Sequence, residues 1–342
     1  MSETIDLSQE QLTMSNIPHL RQKRTSAWIM KQVIIALMFP TLGALYFFGW
    51  RVLLMIAVAV GSCVLFEYLF QKLTKRPVRI NDYSAVVTGL LIALSLPVSA
   101  PLWTIVLGSG FAILVIKQLF GGIGRNWFNP AVGARIMLSV FFGEQVSIWV
   151  EPGAAADATT QATPLGILAS NGAEAVSSAT YADAEMPALL DMFLGTGLPG
   201  NVGETSKLLI LIAFGYLVVR RIIDPHIPLF FILPVAVIPL VTSGFDLAFM
   251  MEHVLGGALI FAAVFMITDY SSSPFSPLGK IVFAIGAGIL TVLFRYYSDY
   301  AGGVGFAILI MNATVPLLDK YLQPRIYGHK RVPVTARILS NG

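Results

Sequence analysis

The stretch "VLLMIAVAVGSCVLFEYLF", residues 52–70, has one charged side chain, Glu67, in nineteen positions. A helix needs roughly 20 apolar residues to cross a hydrocarbon core of about 30 Å, so this stretch reads as a membrane span. Working outward on the same rule, spans fall near 28–48, 83–97, 102–120 and 129–149, then near 207–219, 228–242, 246–267, 281–297 and 303–319. The expected fold is an all-α polytopic membrane protein with about ten transmembrane helices. Residues 207–219 and 228–242 are short for a full crossing. Pro40, Pro97, Pro101 and Pro234 sit in or beside spans, where neighbouring helices can satisfy the freed backbone groups.

Composition agrees. Of 342 residues, 56% are hydrophobic and 12% charged, against roughly 25% charged in soluble domains. A net charge of +3 is too small to suggest a nucleic-acid partner. The single cysteine, Cys63, cannot form an internal disulfide or hold a four-thiolate cluster. The first 26 residues are polar and the apolar run that follows is long, so the start does not read as a cleavable signal peptide.

The basic residues orient the spans. Arg21, Lys23 and Arg24 precede the first, Lys72, Lys75, Arg76 and Arg79 follow the second, and Arg125 follows the fourth. Arg220, Arg221, Lys280, Lys320, Arg325, Lys330 and Arg331 fall on the same side of a ten-span count, the cytoplasmic side. Between Arg135 and Lys207 there is no lysine or arginine, while acids recur, so this gap faces outward. The expected organisation is a cytoplasmic tail (1–27), a five-helix half (28–150), an extracytoplasmic loop (151–206), a second five-helix half (207–320) and a cytoplasmic tail (321–342). "INDYS" (80–84) recurs as "ITDYS" (267–271), and "GGIG" (121–124) as "GGVG" (302–305). Two readings stay open: inverted five-helix repeats, the arrangement of many transporters, or coincidence between short strings rich in Gly and Ser.

The outer loop holds "DATTQATPLGIL" (157–168). One reading makes its threonines turn formers and caps, with Thr163 driven to an extended conformation by Pro164. The spacing of Asp157, Thr160 and Thr163 supplies the other. It resembles the flavinylation motif Asp-x-x-Ser/Thr-Gly-Ala-Thr/Ser, in which a flavin transferase joins FMN to the last hydroxyl. Gln161 departs from the pattern by replacing glycine.

The stretches "DYSAVVTGLLIALSLPVSAPLW" (82–103), "FGGIGRNWFNPA" (120–131), "ITDYSSSPFSPLGKIVFAIGAGILTVLFR" (267–295) and "AILIMNATVPLLDKY" (307–321) resemble the membrane subunits of Rnf complexes and sodium-translocating quinone reductases. Length and a short N-terminal tail favour the Rnf D type. The resemblance implies an ion-translocating (Na⁺ or H⁺) ferredoxin:NAD⁺ oxidoreductase, inactive as a lone polypeptide, in a bacterial inner membrane. It further implies FMN in phosphoester linkage to Thr163, with Asp157 and Thr160 recognised by the transferase, and it leaves open a second, noncovalent flavin. Partners would be other membrane and peripheral subunits, including iron–sulfur and flavin subunits. The rival readings are the Nqr B type, from a sodium-translocating NADH:quinone reductase, a stand-alone small-solute transporter or channel, and a purely structural membrane scaffold with no cofactor or ion dependence.

Ionisable residues in or near spans are candidate ion-path elements because burying them in lipid is costly. They are Glu67, Lys117, Asp246, Glu252, His253, Asp269 and Arg295. Structural roles compete: Glu67 and Lys117 could snorkel to water, Asp246, Glu252 and His253 could mark a span end, and Arg295 with Tyr296 and Tyr297 resembles an interfacial anchor. His253 lacks a second ligand at helical spacing, so no metal site is expected. "GGIGRNWFNPA" reads as a tight turn into a helix, and "SSSPFSPLG" as a short re-entrant or lateral segment.

Overall fold

The computed structural model describes residues 25–150, 163–172, 186–298 and 302–323, with 169–172 described in backbone only. Every regular element among them is helical. The first part holds α1 (Ser26–Phe48), α2 (Arg51–Leu73), α3 (Ser84–Leu94), α4 (Leu102–Gly110), which continues as a π-helix over Phe111–Gln118, α5 (Pro130–Phe141) and α6 (Gly143–Val146). Then come α7 (Pro164–Gly172) and α8 (Leu189–Leu194), inside the expected outer loop. The last part is α9 (Lys207–Val219), α10 (His226–Thr242), α11 (Leu247–Leu255), α12 (Leu259–Phe265), α13 (Pro277–Tyr297) and α14 (Val304–Tyr321).

Four helices, α1, α2, α13 and α14, are long and apolar enough to cross a membrane, or five spans if the bent pair α11–α12 is one. The other helices near the expected spans are shorter. α3 shows why a short helix suffices there. Ten of its eleven residues are buried, as are all seven of α12. Protein rather than lipid surrounds these two helices, so neither must match the bilayer thickness. The long helices sheathe them and present apolar side chains outward, among them Leu42, Leu53, Leu65, Leu278 and Leu317. This is the distribution expected of a bundle in lipid.

Local chemistry sets the boundaries. Thr25 Oγ1 accepts from Trp28 N at 3.2 Å and caps α1. Asn129 caps α5 by accepting from Ala131 N at 3.0 Å, with Pro130 at the first helical position. Ser276 and Pro277 do the same for α13, and Asp246 caps α11, at a helix end as its sequence position suggests. Packing depends on glycine where backbones meet. A Cβ on Gly89 of α3 would lie 2.7 Å from Val60 Cα of α2, and Gly288 of α13 sits under Pro234 of α10.

The bundle has two distinct ends. At one, Arg51 Nε donates to Val98 O at 2.8 Å, and Ser99 Oγ donates to Ile148 O. At the other, Arg76 Nη1 reaches Gln118 O at 3.2 Å. α11 and α12 meet at a bend of 53°, where Gly257 takes φ +63, a left-handed conformation that suits glycine. Arg295 of α13 donates to the carbonyls of His253 and Gly256 and thereby satisfies backbone groups freed by the break. Opposite it, Val202 N and Gly203 N donate to Leu96 O (3.0 Å) and Leu94 O (2.7 Å), closing the end of α3.

Candidate cofactor site

Of the three expected motif residues, Thr163 is described; Asp157 and Thr160 lie outside the described residues. Thr163 caps α7, its Oγ1 accepting from Gly166 N at 3.1 Å while its carbonyl accepts from Ile167 N at 3.0 Å. A proline at the first helical position loses no hydrogen bond, so "TPLG" starts a helix cleanly. Leu165, Ile167 and Leu168 are buried. Leu165 seats on the α11–α12 break: a Cβ on Gly256 would lie 3.0 Å from Leu165 Cδ2. The glycines of the break therefore make room for the segment that carries Thr163.

Thr163 lines a cavity of about 1980 Å³. The cavity wall includes Arg135, Lys207, Arg295, Glu204, Asn201 and His253. Lys207 and Arg295 are 4% and 5% exposed, and Arg135 is half-buried and donates to Ser139 Oγ at 2.7 Å. Lys207 Nζ donates to Glu204 O at 2.6 Å, while the Glu204 carboxylate accepts from Asn201 N (3.0 Å) and Nδ2 (3.1 Å). Asn201 Oδ1, both ring nitrogens of His253 and Arg295 Nε are buried without a hydrogen-bond partner among the described residues. Buried polar groups are almost always paired; these four atoms present almost no open surface, so they lie behind the cavity wall rather than on it. Small-molecule sites commonly enclose about 300–1,000 Å³, and this one has room for a flavin mononucleotide joined at its rim.

A second polar cluster lies at the opposite end. Glu67 Oε2 and Lys117 Nζ form a salt bridge at 2.8 Å, with side chains 2% and 3% exposed. Lys117 also donates to Ser84 Oγ (2.6 Å), and Glu67 Oε1 accepts from Gln118 (2.8 Å) and Gln71 (3.3 Å). The π-helical turn puts the adjacent Lys117 and Gln118 on the same carboxylate. Neither Glu67 nor Lys117 snorkels to water: each satisfies the other in the interior. Arg295 likewise is no interfacial anchor but an internal clamp. The repeated motif makes the same local turn twice. Asp82 accepts from Ser84 N and Oγ (2.9 and 2.6 Å), and Asp269 accepts from Ser271 N and Oγ (3.3 and 2.9 Å). Between these turns is a cavity of about 90 Å³ lined by Ser84, Lys117, Asn126, Asp269 and Ser271. Among the described residues no group of three or more His, Cys, Asp or Glu is placed to hold a metal.

A family model described as NQR2, RnfD, RnfE matches residues 13–328. The chain belongs to this family. It is 40% identical over 328 residues, 95% of the chain and 98% of the relative, to the D subunit of the Na(+)-translocating ferredoxin:NAD(+) oxidoreductase complex of Acetobacterium woodii. It is 36% identical to the D subunit of the proton-translocating ferredoxin:NAD(+) oxidoreductase complex of Clostridium ljungdahlii, over 93% of the chain and 97% of the relative. The D subunit of the ion-translocating oxidoreductase complex of Yersinia enterocolitica is 35% identical, over 94% and 99%.

In this NQR2, RnfD, RnfE family member, sequence reading singled out Thr163, which lines the cavity, but missed most of the cavity wall. Arg135 and Lys207 marked only the limits of a gap without basic residues, and Glu204 was one acid among several. The available signal was a charged residue abutting an apolar helix, as Lys207 does at the first position of α9. Which buried charges share a cavity is a tertiary fact.

Proposed function

We propose that this protein is the D subunit of an ion-translocating ferredoxin:NAD⁺ oxidoreductase, active only within its complex, and that it carries FMN through a phosphoester to Thr163. The observation that carries the reading is Thr163 itself, a helix-capping hydroxyl on the wall of a cavity large enough for a flavin and lined by Arg135, Lys207 and Arg295. The relatives' names, those of Na⁺- and H⁺-translocating enzymes, support the complex. Ten membrane crossings in two inverted halves, cytoplasmic termini and an outward Thr163 form the topology that goes with it.

Thr163 is an attachment point and not a base. A lone hydroxyl is a weak nucleophile, so a transferase must deprotonate it; Thr163 Oγ1 then bonds to the FMN phosphorus of FAD as the bond to AMP breaks. Asp157 and Thr160 serve recognition by that transferase. Bound FMN supplies electron transfer, while the protein sets position, solvent access and potential. Cys63 is buried and alone, so iron–sulfur and flavin subunits must bring electrons to the site. The small polar cavity between the two Asp-Tyr-Ser turns is the place for a second, noncovalent flavin only if its walls part, since about 90 Å³ does not hold one. A sodium-translocating quinone reductase is the second reading, because the matching family also includes NQR2; the electron acceptor distinguishes the two.

The test is co-expression with a flavin transferase and its FAD supply, followed by a denaturing gel read for flavin fluorescence. The wild-type band should fluoresce and the Thr163→Val band should not. A dark wild-type band, with the transferase active on a control, would overturn the reading and implicate Gln161.

A further inference from the structure

The end of the bundle that holds the Glu67–Lys117 pair also carries an exposed crevice that the cofactor chemistry does not use. On α2, Leu65, Leu69 and Leu73 are exposed at a spacing of four residues, so they form one apolar strip along the helix. The strip runs into Arg76, three residues past the end of α2. Beside it the π-helix runs out into Leu119 and Phe120, also exposed. Arg76 Nη1 donates to Gln118 O at 3.2 Å and ties the two helix ends together. Arg125 closes on the same turn. Gly121 N donates to Gln118 O at 3.1 Å, and a Cβ on Gly121 would lie 3.0 Å from Arg125 Cδ and 3.6 Å from its Nη1. Phe120 and Trp127 stack there at 6.2 Å between ring centroids and are 43% and 58% exposed.

An arginine carries five N–H donors. Arg76 spends one on Gln118 O, and Arg125 makes no side-chain hydrogen bond among the described residues. Both residues are exposed, so their remaining donors are open to a ligand. The nearby carboxylates are committed elsewhere: Glu67 holds Lys117, Gln118 and Gln71, and Asp82 holds Ser84. An exposed cation needs no counter-ion, so charge alone does not define the ligand. The junction of charge with apolar span surface does. A small anion in water would meet the guanidinium groups and leave the leucine strip bare. A phospholipid covers both, because a guanidinium fork matches phosphate oxygens and acyl chains lie along exposed leucines. Tryptophan is enriched at headgroup level, and basic pockets between membrane helices are seats for anionic headgroups.

We propose that the crevice between α2 and the π-helix binds an anionic phospholipid, with its phosphate on Arg76 and Arg125 and its acyl chains along Leu73 and Leu119. Phe120 and Trp127 flank the headgroup. The site lies at the opposite end of the bundle from the Thr163 cavity, and it stands whether or not Thr163 carries flavin.

The experiment reconstitutes the full-length chain in vesicles of phosphatidylcholine and phosphatidylglycerol, one or the other carrying brominated acyl chains. Bromine quenches a tryptophan that it touches, and the difference between wild type and Trp127→Phe isolates the signal of Trp127. Phosphatidylglycerol should be preferred over phosphatidylcholine at Trp127 by about fivefold for each arginine, the advantage of one cation beside an anionic headgroup. Arg76→Gln with Arg125→Gln should bring the ratio to about one, while Lys280→Gln with Lys320→Gln, which removes the same charge elsewhere, should leave it within about twofold of wild type. Raising the salt to about 1 M, where the screening length is about 3 Å, should lower the ratio in wild type. That arm needs no variant to fold. Equal quenching by the two lipids, or a ratio unmoved by salt or by the paired arginine substitutions, would overturn the site. An equal loss in the paired lysine variant would assign the preference to general surface charge and overturn it as well. Quenching by neither lipid, with less of the complex's other subunits co-purifying with the arginine variant, would make this face a subunit contact instead.

Discussion

Thr163 combines two roles that substitution can separate. Its hydroxyl caps α7, a contribution of about 1 kcal/mol, and the same oxygen is the proposed attachment point. Thr163→Asn keeps a good cap and removes the nucleophile; Thr163→Ser keeps both. We expect the asparagine variant to fold with wild-type thermal stability and carry no flavin, and the serine variant to fluoresce on a denaturing gel. The Glu67–Lys117 pair shows the opposite situation, in which two residues act as one unit. Removing one partner of a buried pair leaves an uncompensated charge and costs about 3–5 kcal/mol, whereas replacing both with apolar groups can be nearly neutral. Glu67→Leu should therefore lower the unfolding midpoint in detergent more than Glu67→Leu with Lys117→Leu. Asp269 gives a pH signature. Burial pushes its carboxyl above the ordinary aspartate range, partly offset by hydrogen bonds from Ser271 and Ser272. The folded state thus holds the proton more tightly than the unfolded one, and stability from this group falls as pH rises from the unfolded to the folded pKa. Asp269→Asn should flatten that part of the stability–pH profile.

At the scale of elements, α7 matters most, because it is short and yet has to position the proposed attachment hydroxyl. Nine residues make a marginal helix in isolation. It is held by Leu165, Ile167 and Leu168 against the rest of the bundle. Leu165→Ala would remove the side chain seated on Gly256 and Gly257, a loss of about 2–5 kcal/mol for a buried leucine. That loss falls on the docking of α7 rather than on the membrane helices. Limited proteolysis should cut the variant near residues 163–172 much faster than wild type, with an unchanged global unfolding midpoint. The break between α11 and α12 is the receiving part of the same arrangement. A continuous helix there would offer neither the glycine floor nor free carbonyls for Arg295.

Across the whole molecule, burial is ordered from the inside out. α3 and α12 are enclosed by protein, α1, α2, α13 and α14 present apolar side chains outward, and α7 rests on the surface of the break. Local opening free energy follows enclosure and contact density. Amide hydrogen exchange in nanodiscs should be slowest in α3 and α12 and fastest in α7 and α8. Exchange in α3 as fast as in α7 would mean that the central helices are not the rigid part of the bundle. Polar chemistry is concentrated at the two ends, with the acid–base pair at one and the cation-lined cavity at the other.

The positions of the helices were legible in the sequence because apolar runs and caps are local. Residues 207–219 coincide with α9, and Asn129-Pro130 and Ser276-Pro277 mark helix starts without tertiary information. The cap at Thr163-Pro164 was legible for the same reason, since a hydroxyl residue before a proline is a local helix-start signal. The break in residues 246–267 was not: Gly256 and Gly257 in an apolar run are compatible with a continuous span, and only the packing of Leu165 and the reach of Arg295 select the bend. Glu67 and Lys117 are fifty residues apart, so their flags as ionisable residues in spans could not reveal that they satisfy each other. The sequence alone determined which segments are apolar and where helices can start. Tertiary structure decided which buried charges meet, because desolvation and pairing depend on distances between segments that sequence separation leaves free.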